Sequence, residues 1–80
     1  SKMETAKAQA YLKGSKFEQA KAAVDKALTL SENKNALAYE VLGDYFYLTN
    51  KPEDAKNAYL KSQTLGNVGI KEKLFMRGIH

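Results

Sequence analysis

The side chains that most often perform acid–base or nucleophilic chemistry are scarce in this chain. His80 is the single histidine and the last residue, cysteine is absent, and no serine or paired carboxylates are placed to work with that histidine. Both kinds of catalysis need their groups within hydrogen-bonding reach of one another. A metal site is disfavoured for the same reason, because only isolated carboxylates accompany His80. We therefore expect no catalysis, no bound metal and no other cofactor.

The segment Gly66-Asn67-Val68-Gly69 is a second candidate site, because glycine-rich segments can bind phosphate. Phosphate-binding loops place such glycines between a strand and a helix, with a lysine at a fixed spacing. No predicted strand precedes this segment, and the lysine spacing after it does not fit. The segment is therefore predicted to be a break between two helices.

The net charge of +4 comes from thirteen basic and nine acidic residues, and Arg77 is the single arginine. Nucleic-acid binders concentrate their cations on one face and favour arginine where phosphates or bases are bound. Lys16, Lys21 and Lys26 are five residues apart, and at about 100° per residue three such side chains cannot line one side of a helix. The charge predicts a solvated surface, and the alternative is a patch that attracts acidic partners.

The chain has 80 residues, of which 44% are apolar. A chain of this length buries only about 60% of its unfolded surface, so it has room for one small core. No stretch approaches the ~20 consecutive apolar residues of a membrane span, and no signal peptide is evident. We expect one soluble domain over residues 1–80, and the sequence leaves its compartment open.

The sequence repeats itself at an offset of 35 residues. The segment Phe17–Leu30 matches residues 52–65 at seven of fourteen positions. A fixed period of this length is typical of a solenoid of helical hairpins. Repeat one is predicted over residues 1–35, repeat two over 36–69, and a terminal helix or truncated third repeat over 70–80.

Helix-breaking residues divide these repeats into predicted helices. The first is expected to end at Gly14, because glycine tolerates the left-handed turn that closes a helix. Pro52 disfavours a helical residue before it and suits the first turn of the next helix. No alternating pattern is long enough to form a sheet. The predicted helices span about residues 2–13, 16–30, 35–48, 52–65 and 70–80.

Both repeats carry small and aromatic residues at matching helical positions. They are Tyr39, Leu42, Gly43, Phe46, Ala55, Tyr59 and Ser62 in repeat two and Ala8, Tyr11, Phe17, Ala20, Val24 and Ala27 in repeat one. This pattern resembles the tetratricopeptide repeat, which has an aromatic residue, Leu-Gly and a second aromatic in its first helix, and Ala, aromatic, Ala in its second. The resemblance implies an all-α, right-handed helical-hairpin solenoid of five helices that binds another protein or peptide. Glu4 and Lys7 depart from the pattern, which suggests an exposed first helix.

In stacked helix pairs the first helix of each pair lines a concave groove, which predicts the surface that binds the partner. Tyr47 and Leu48 are the predicted anchors, because neither suits a solvent-facing position. The residues predicted to line the groove are Thr5, Gln9, Leu12, Lys13, Leu37, Glu40, Val41, Asp44, Tyr47 and Leu48.

Part of the family grips the terminal carboxylates of chaperone tails with lysine, asparagine and arginine side chains. The matching positions here are Thr5, Gln9, Val41, Glu72 and Met76. None of them supplies a cation, and Glu72 would repel a carboxylate. A chaperone-tail clamp is therefore not expected.

The alternative function is RNA binding, since hairpins of this length also build the pentatricopeptide family, which reads about one base per repeat. The positive net charge favours this alternative. Glu40 and Asp44 on the predicted reading face oppose it, and two repeats would read too few bases for useful specificity. Protein interaction is the preferred prediction, and nucleic acid is not the expected partner.

The fifth predicted helix has apolar residues on more than one side, whereas the last helix of a solenoid normally has a polar outer face. Gly78 also falls at the repeat position of Gly43, as if it faced a further helix. We expect either a piece of a longer array or a homodimer formed through the C-terminal helix. The predicted self-association residues are Leu74, Phe75, Met76 and Ile79.

Overall fold

The computed structural model describes residues 2–30, 32 and 35–79, with side chains from residue 4 onward, so His80 lies outside the described residues. Within these ranges the chain is all-α and has no strand, as predicted. The five helices are α1 (Lys2–Lys13), α2 (Phe17–Leu30), α3 (Ala36–Leu48), α4 (Pro52–Thr64) and α5 (Ile70–Met76). None of these helices combines the length and the apolar character that crossing a membrane requires.

The helix starts follow from local chemistry. The side chain of Asn35 accepts a hydrogen bond of 3.1 Å from the backbone N–H of Ala38, which satisfies one of the free donors at the start of α3. Pro52 is the first residue of α4, where its missing N–H costs no helical hydrogen bond. Both starts lie within one residue of their predicted positions.

The turns that end α1 and α3 repeat at the offset of the sequence. Ser15 and Asn50 are 35 residues apart, and both have left-handed backbone, with φ of 58° and 64°. In each turn the following amide donates to the carbonyl five residues before it, at 2.8 Å in both cases. The prediction that Gly14 adopts the left-handed conformation is wrong, because Ser15 carries the positive φ.

The end of α5 differs from its prediction. The helix stops at Met76, and Gly78 follows it with a φ of 68° and donates its N–H to the carbonyl of Phe75 at 3.1 Å. A Cβ atom at Gly78 would meet nothing within 4 Å. Gly78 therefore closes α5 and lies outside it, which corrects the prediction that the fifth helix extends over residues 70–80.

The first core cluster joins the first three helices. α1 packs on α2, and α3 packs on both. Tyr11, Phe17, Tyr39, Leu42 and Tyr45 pack around its edge. Its buried residues are Ala8, Leu12, Ala20, Ala23, Val24, Ala27, Leu28, Ala38 and Val41.

The second core cluster lies between α4 and α5. Ala55, Tyr59 and Ile70 are fully buried there, and Phe46, Leu74 and Ile79 pack against them. α3 contacts α4 extensively at the position of Gly43, where an added Cβ atom would lie 2.5 Å from the ring of Tyr59. The absence of a side chain at Gly43 therefore lets α3 and α4 cross closely.

Candidate binding groove

A cavity of about 350 Å³ opens between α1, α3 and the residue that follows α5. We call it the α1–α3 groove. Half of the residues predicted to line a groove contribute to it. They come from α1 and α3, which are the first helices of the two repeats. The lining residues are Gln9, Leu12 and Lys13 of α1, Asp44 and Leu48 of α3, and Arg77.

Three of the predicted groove residues belong to the core. Thr5 and Val41 are 1% and 0% exposed, and Leu12, at 8%, reaches the groove only at its floor. The hydroxyl of Thr5 accepts a hydrogen bond of 3.3 Å from the side chain of Asn35 at the start of α3. The expectation that these residues form an open surface is corrected by their burial. Glu4, expected on an exposed helix, is also buried and lies 3.8 Å from the ammonium of Lys26.

The two predicted anchors face different depressions. Leu48 is 45% exposed and lines the α1–α3 groove. Tyr47 lies beside Pro52 and Lys56 in a separate depression, and the guanidinium of Arg77 stands 4.3 Å above the centre of its ring. Leu37 is exposed at the start of α3, outside the groove.

The carboxylate of Asp44 is the centre of a cluster that ties α3 to α4 and α5. It accepts hydrogen bonds from the hydroxyl of Tyr59, from the ammonium of Lys73 at 3.0 Å and from the guanidinium of Arg77 at 3.3 Å. The carboxylate of Glu40 lies one helical turn earlier and binds Lys73 at 2.8 Å. We call these five residues the Asp44 cluster.

The side-chain amide of Asn67, in the turn before α5, also donates to Glu40 at 2.7 Å. Both acidic residues predicted for the groove are therefore engaged by the C-terminal part of the chain. Sequence reasoning missed Lys73 and Arg77, although a signal for them existed. The two acids are four residues apart and the two bases are four residues apart, which is the spacing of matching turns on adjacent helices.

The ionisation of the cluster follows from these contacts. Burial alone raises the pKa of Glu40, but hydrogen bonds from Lys73 and Asn67 and the charge of Lys73 outweigh it, so the pKa lies below its usual value. Burial lowers the pKa of Lys73, and its bonds to Glu40 and Asp44 reverse the sign and raise it. For Tyr59, burial and the adjacent Asp44 carboxylate both raise the pKa of the hydroxyl. All three groups keep their usual charge at neutral pH.

The charge of the α1–α3 groove is positive. The Asp44 carboxylate is offset by the bound cations, and the exposed Lys13 also lines the groove. Leu48 adds an exposed apolar surface to the same lining. The groove can therefore receive an acidic group beside an apolar side chain.

Neither a protein family nor a curated protein nor a solved structure matches the chain. Among the residues that the structure describes, no three histidine, aspartate or glutamate side chains lie close enough to hold a metal ion.

The predicted self-association residues fall into two groups. Leu74 and Ile79 are half-buried and pack on the second core cluster, which gives them a structural role. Phe75 and Met76 are each 81% exposed at the far end of the molecule. The structure thus separates residues that anchor α5 from residues that it leaves uncovered.

Proposed function

We propose that this chain is a non-catalytic protein-interaction module, a helical-hairpin scaffold of the tetratricopeptide type that binds an acidic peptide or partner helix in the α1–α3 groove. One observation carries the proposal. Gln9 and Lys13 of α1 and Leu48 of α3 are far apart in sequence, and all three open onto one cavity. In proteins built from stacked hairpins, the first helices of neighbouring hairpins together form the surface that binds an extended partner.

The repeat architecture supports this assignment. The same left-handed turn closes α1 at Ser15 and α3 at Asn50, 35 residues later. The small residue Gly43 lets α3 and α4 cross closely. Repetition of both sequence and backbone geometry is what a hairpin solenoid requires.

The chemistry of the groove favours an acidic segment with an apolar side chain. Lys13 contributes an exposed positive charge, the charge of Arg77 is paired with Asp44, and Leu48 offers an apolar contact in the same groove. A carboxylate of the partner near Lys13 would gain attraction, and an apolar residue on Leu48 would lose contact with water. A basic partner would meet repulsion at the same place.

RNA binding is less well supported by the cluster. Lys73 and Arg77 are bound to Glu40 and Asp44, so these cations are not free to neutralise phosphates. Phosphate contacts provide most of the affinity of nucleic-acid binders.

A phage-displayed library of random peptides, selected on the wild-type chain, tests the proposal. Enriched peptides should combine aspartate or glutamate with an apolar residue and bind in the micromolar range. Leu48→Ala should weaken binding by roughly tenfold, because an exposed apolar contact near the centre of an interface contributes more than about 1 kcal/mol. Lys13→Glu should weaken the binding of acidic peptides by a similar factor.

Leu37→Ala is the matched control. Leu37 is 42% exposed against 45% for Leu48 and lies on the same helix, but outside the groove. Its substitution should leave peptide binding unchanged. The proposal fails if selected peptides are basic, or if their binding depends on Leu37 and not on Leu48.

A further inference from the structure

Helix α5 and the turn before it expose three large apolar side chains. Val68 is 92% exposed, and Phe75 and Met76 are each 81% exposed. Lys71 and Glu72 stand at the rim of the broad depression, about 770 Å³ in volume, that these residues line. We call this surface the α5 end face. A contiguous apolar patch with a charged rim is typical of an interaction site.

The repeat register indicates what kind of element covers such a face. Phe75 follows Glu40 by 35 residues, and Glu40 follows Thr5 by the same interval. Thr5 is contacted by Asn35 at the start of α3, and Glu40 is contacted by Lys73 of α5. Thr5 and Glu40 therefore each contact the first helix of the repeat that follows their own. Phe75 has the same position on α5, so its natural cover is a helix.

The surface of α1 and α2 does not supply that cover to a second copy. A depression there is lined by the exposed side chains of Lys7 and Lys26, which pair with the buried Glu4. Packing the α5 end face onto this depression would remove the two ammonium groups from water, which is costly. Between two copies, such a contact is therefore disfavoured relative to a contact between two identical α5 end faces.

We propose that two copies of this chain form a twofold dimer through their α5 end faces, with Phe75 and Met76 of one copy packed on the same residues of the other. The rim is self-complementary in charge. Lys71 and Glu72 are adjacent residues of opposite sign, and both line the depression. In a twofold contact Lys71 of each copy comes near Glu72 of the other. This dimer leaves the α1–α3 groove open, so it does not depend on the proposed function.

The interface involves one short helix and its flanking turn. Interfaces that bury less than about 1,200 Å² are typical of weak, reversible association. We therefore expect a dissociation constant on the order of micromolar and a fast exchange between monomer and dimer.

Sedimentation velocity of the wild-type chain over a roughly hundredfold range of concentration around that constant measures the association. The mean mass should rise from monomer to dimer and go no further, because a twofold contact closes. A double variant, Phe75→Ser with Met76→Ser, should weaken dimerisation at least about tenfold. Both side chains face solvent, so circular dichroism and thermal unfolding of the double variant should match those of the wild type.

Leu30→Ser is the matched control. Leu30 is a large exposed side chain, 60% accessible, at the end of α2 and outside the α5 end face. Its substitution should leave the dimer intact, as should Leu48→Ala in the groove. A wild-type chain that remains monomeric at every concentration overturns the proposal and leaves the α5 end face to a different partner.

Charge exchange at the rim tests the twofold geometry itself. Lys71→Glu places two acidic residues together in each copy, and Glu72→Lys places two basic residues together, so each variant alone should dimerise more weakly than the wild type. An equimolar mixture of the two variants should form a heterodimer, because every rim contact is then attractive. A mixture that associates no better than the separate variants contradicts the twofold arrangement, and so does a dimer that persists in the Phe75→Ser, Met76→Ser variant.

Discussion

The hydroxyl of Tyr59 on α4 donates a hydrogen bond to the carboxylate of Asp44 on α3, and that carboxylate also binds the two cations of the C-terminal segment. Tyr59 is fully buried, so its hydroxyl has no access to bulk water. One carboxylate thus satisfies a buried donor and holds α5 against α3. The second hairpin and the terminal helix are joined through this residue as well as through apolar packing.

Asp44→Asn should destabilise the protein by about 1–3 kcal/mol, because it removes the charge that holds Lys73 and Arg77 and weakens the bond to the buried Tyr59 hydroxyl. Urea unfolding gives the free energy, and hydrogen exchange should show the largest loss of protection in α5. Asp25→Asn is the control. Asp25 pairs with Lys21 in an exposed position, where substitution should cost less than about 0.5 kcal/mol. Equal losses in the two variants would contradict the importance of the cluster.

Acid should weaken the contact between α3 and α5. The pKa of Glu40 in the folded protein lies below its ordinary value of 4.5, because its bonds to Lys73 and Asn67 outweigh burial. The stabilisation is therefore complete above pH 4.5 and is lost as the pH falls through the lowered pKa of the folded state. Unfolding free energies of the wild type and Glu40→Gln measure this effect.

The wild type should be more stable than the Glu40→Gln variant at neutral pH, and the difference should shrink below pH 4.5. On the alkaline side the sign is reversed for Lys73, whose raised pKa means that its stabilisation is lost as the pH rises through that value. A constant difference between the two proteins across the acid range would show that Glu40 contributes nothing through its charge.

Gly43→Ala should destabilise the protein although alanine favours helix. The added Cβ atom would lie 2.5 Å from the ring of Tyr59, which is enclosed and cannot move aside. Overpacking of this kind costs about 1–3 kcal/mol, more than the ~1 kcal/mol gained from helix propensity. At Gly14 the nearest atoms to an added Cβ are 3.8 Å away, so Gly14→Ala should be tolerated. Thermal unfolding of both variants measures their stability relative to the wild type. A Gly43→Ala variant more stable than the wild type would refute the close crossing.

Ser15→Gly should stabilise the protein, by about 0.5–1 kcal/mol, because serine is strained at a φ of 58° and glycine is not. Asn50 has nearly the same backbone, with a φ of 64°, but asparagine tolerates this region better. Asn50→Gly should therefore change the stability by less than Ser15→Gly does. Melting temperatures of the two variants, compared with the wild type, test this order. The reverse order would mean that side-chain contacts of Ser15, and not its backbone, decide its contribution.

The helices themselves were predictable because their signals are local. The predicted spans 35–48 and 52–65, the second of which begins at Pro52, place the ends of α3 and α4 within one residue of the structure. These signals act through backbone hydrogen bonds and fixed dihedral angles, which depend on residues close in sequence. Local signals did not decide which of two adjacent residues adopts the left-handed conformation after α1. The structure shows that it is Ser15 and not Gly14.

The 35-residue offset also predicted relationships between distant residues, but only in part. Ser15 and Asn50 are related by this offset and share a left-handed backbone, and Gly43, a residue of the repeat pattern, lies where α3 and α4 cross closely. Gly78 has the repeat position of Gly43, but it lies past the end of α5 and has a positive φ, so the backbone does not repeat there. Repetition in sequence predicts repetition in structure only where the neighbouring elements repeat as well.

Burial and charge pairing were decided by the tertiary structure alone. Val41 lies on the face of α3 that the sequence assigned to the groove, yet it is fully buried, because α1 and α2 approach α3 from a side that its own periodicity does not specify. Asp44 was predicted to face a partner, and it binds Lys73 and Arg77, 29 and 33 residues further on. The sequence by itself determined which segments form helices and, for α3 and α4, where these helices begin and end. The packing of those helices determined which side chains remain exposed, because burial and ion pairing depend on residues that the chain brings together only when it folds.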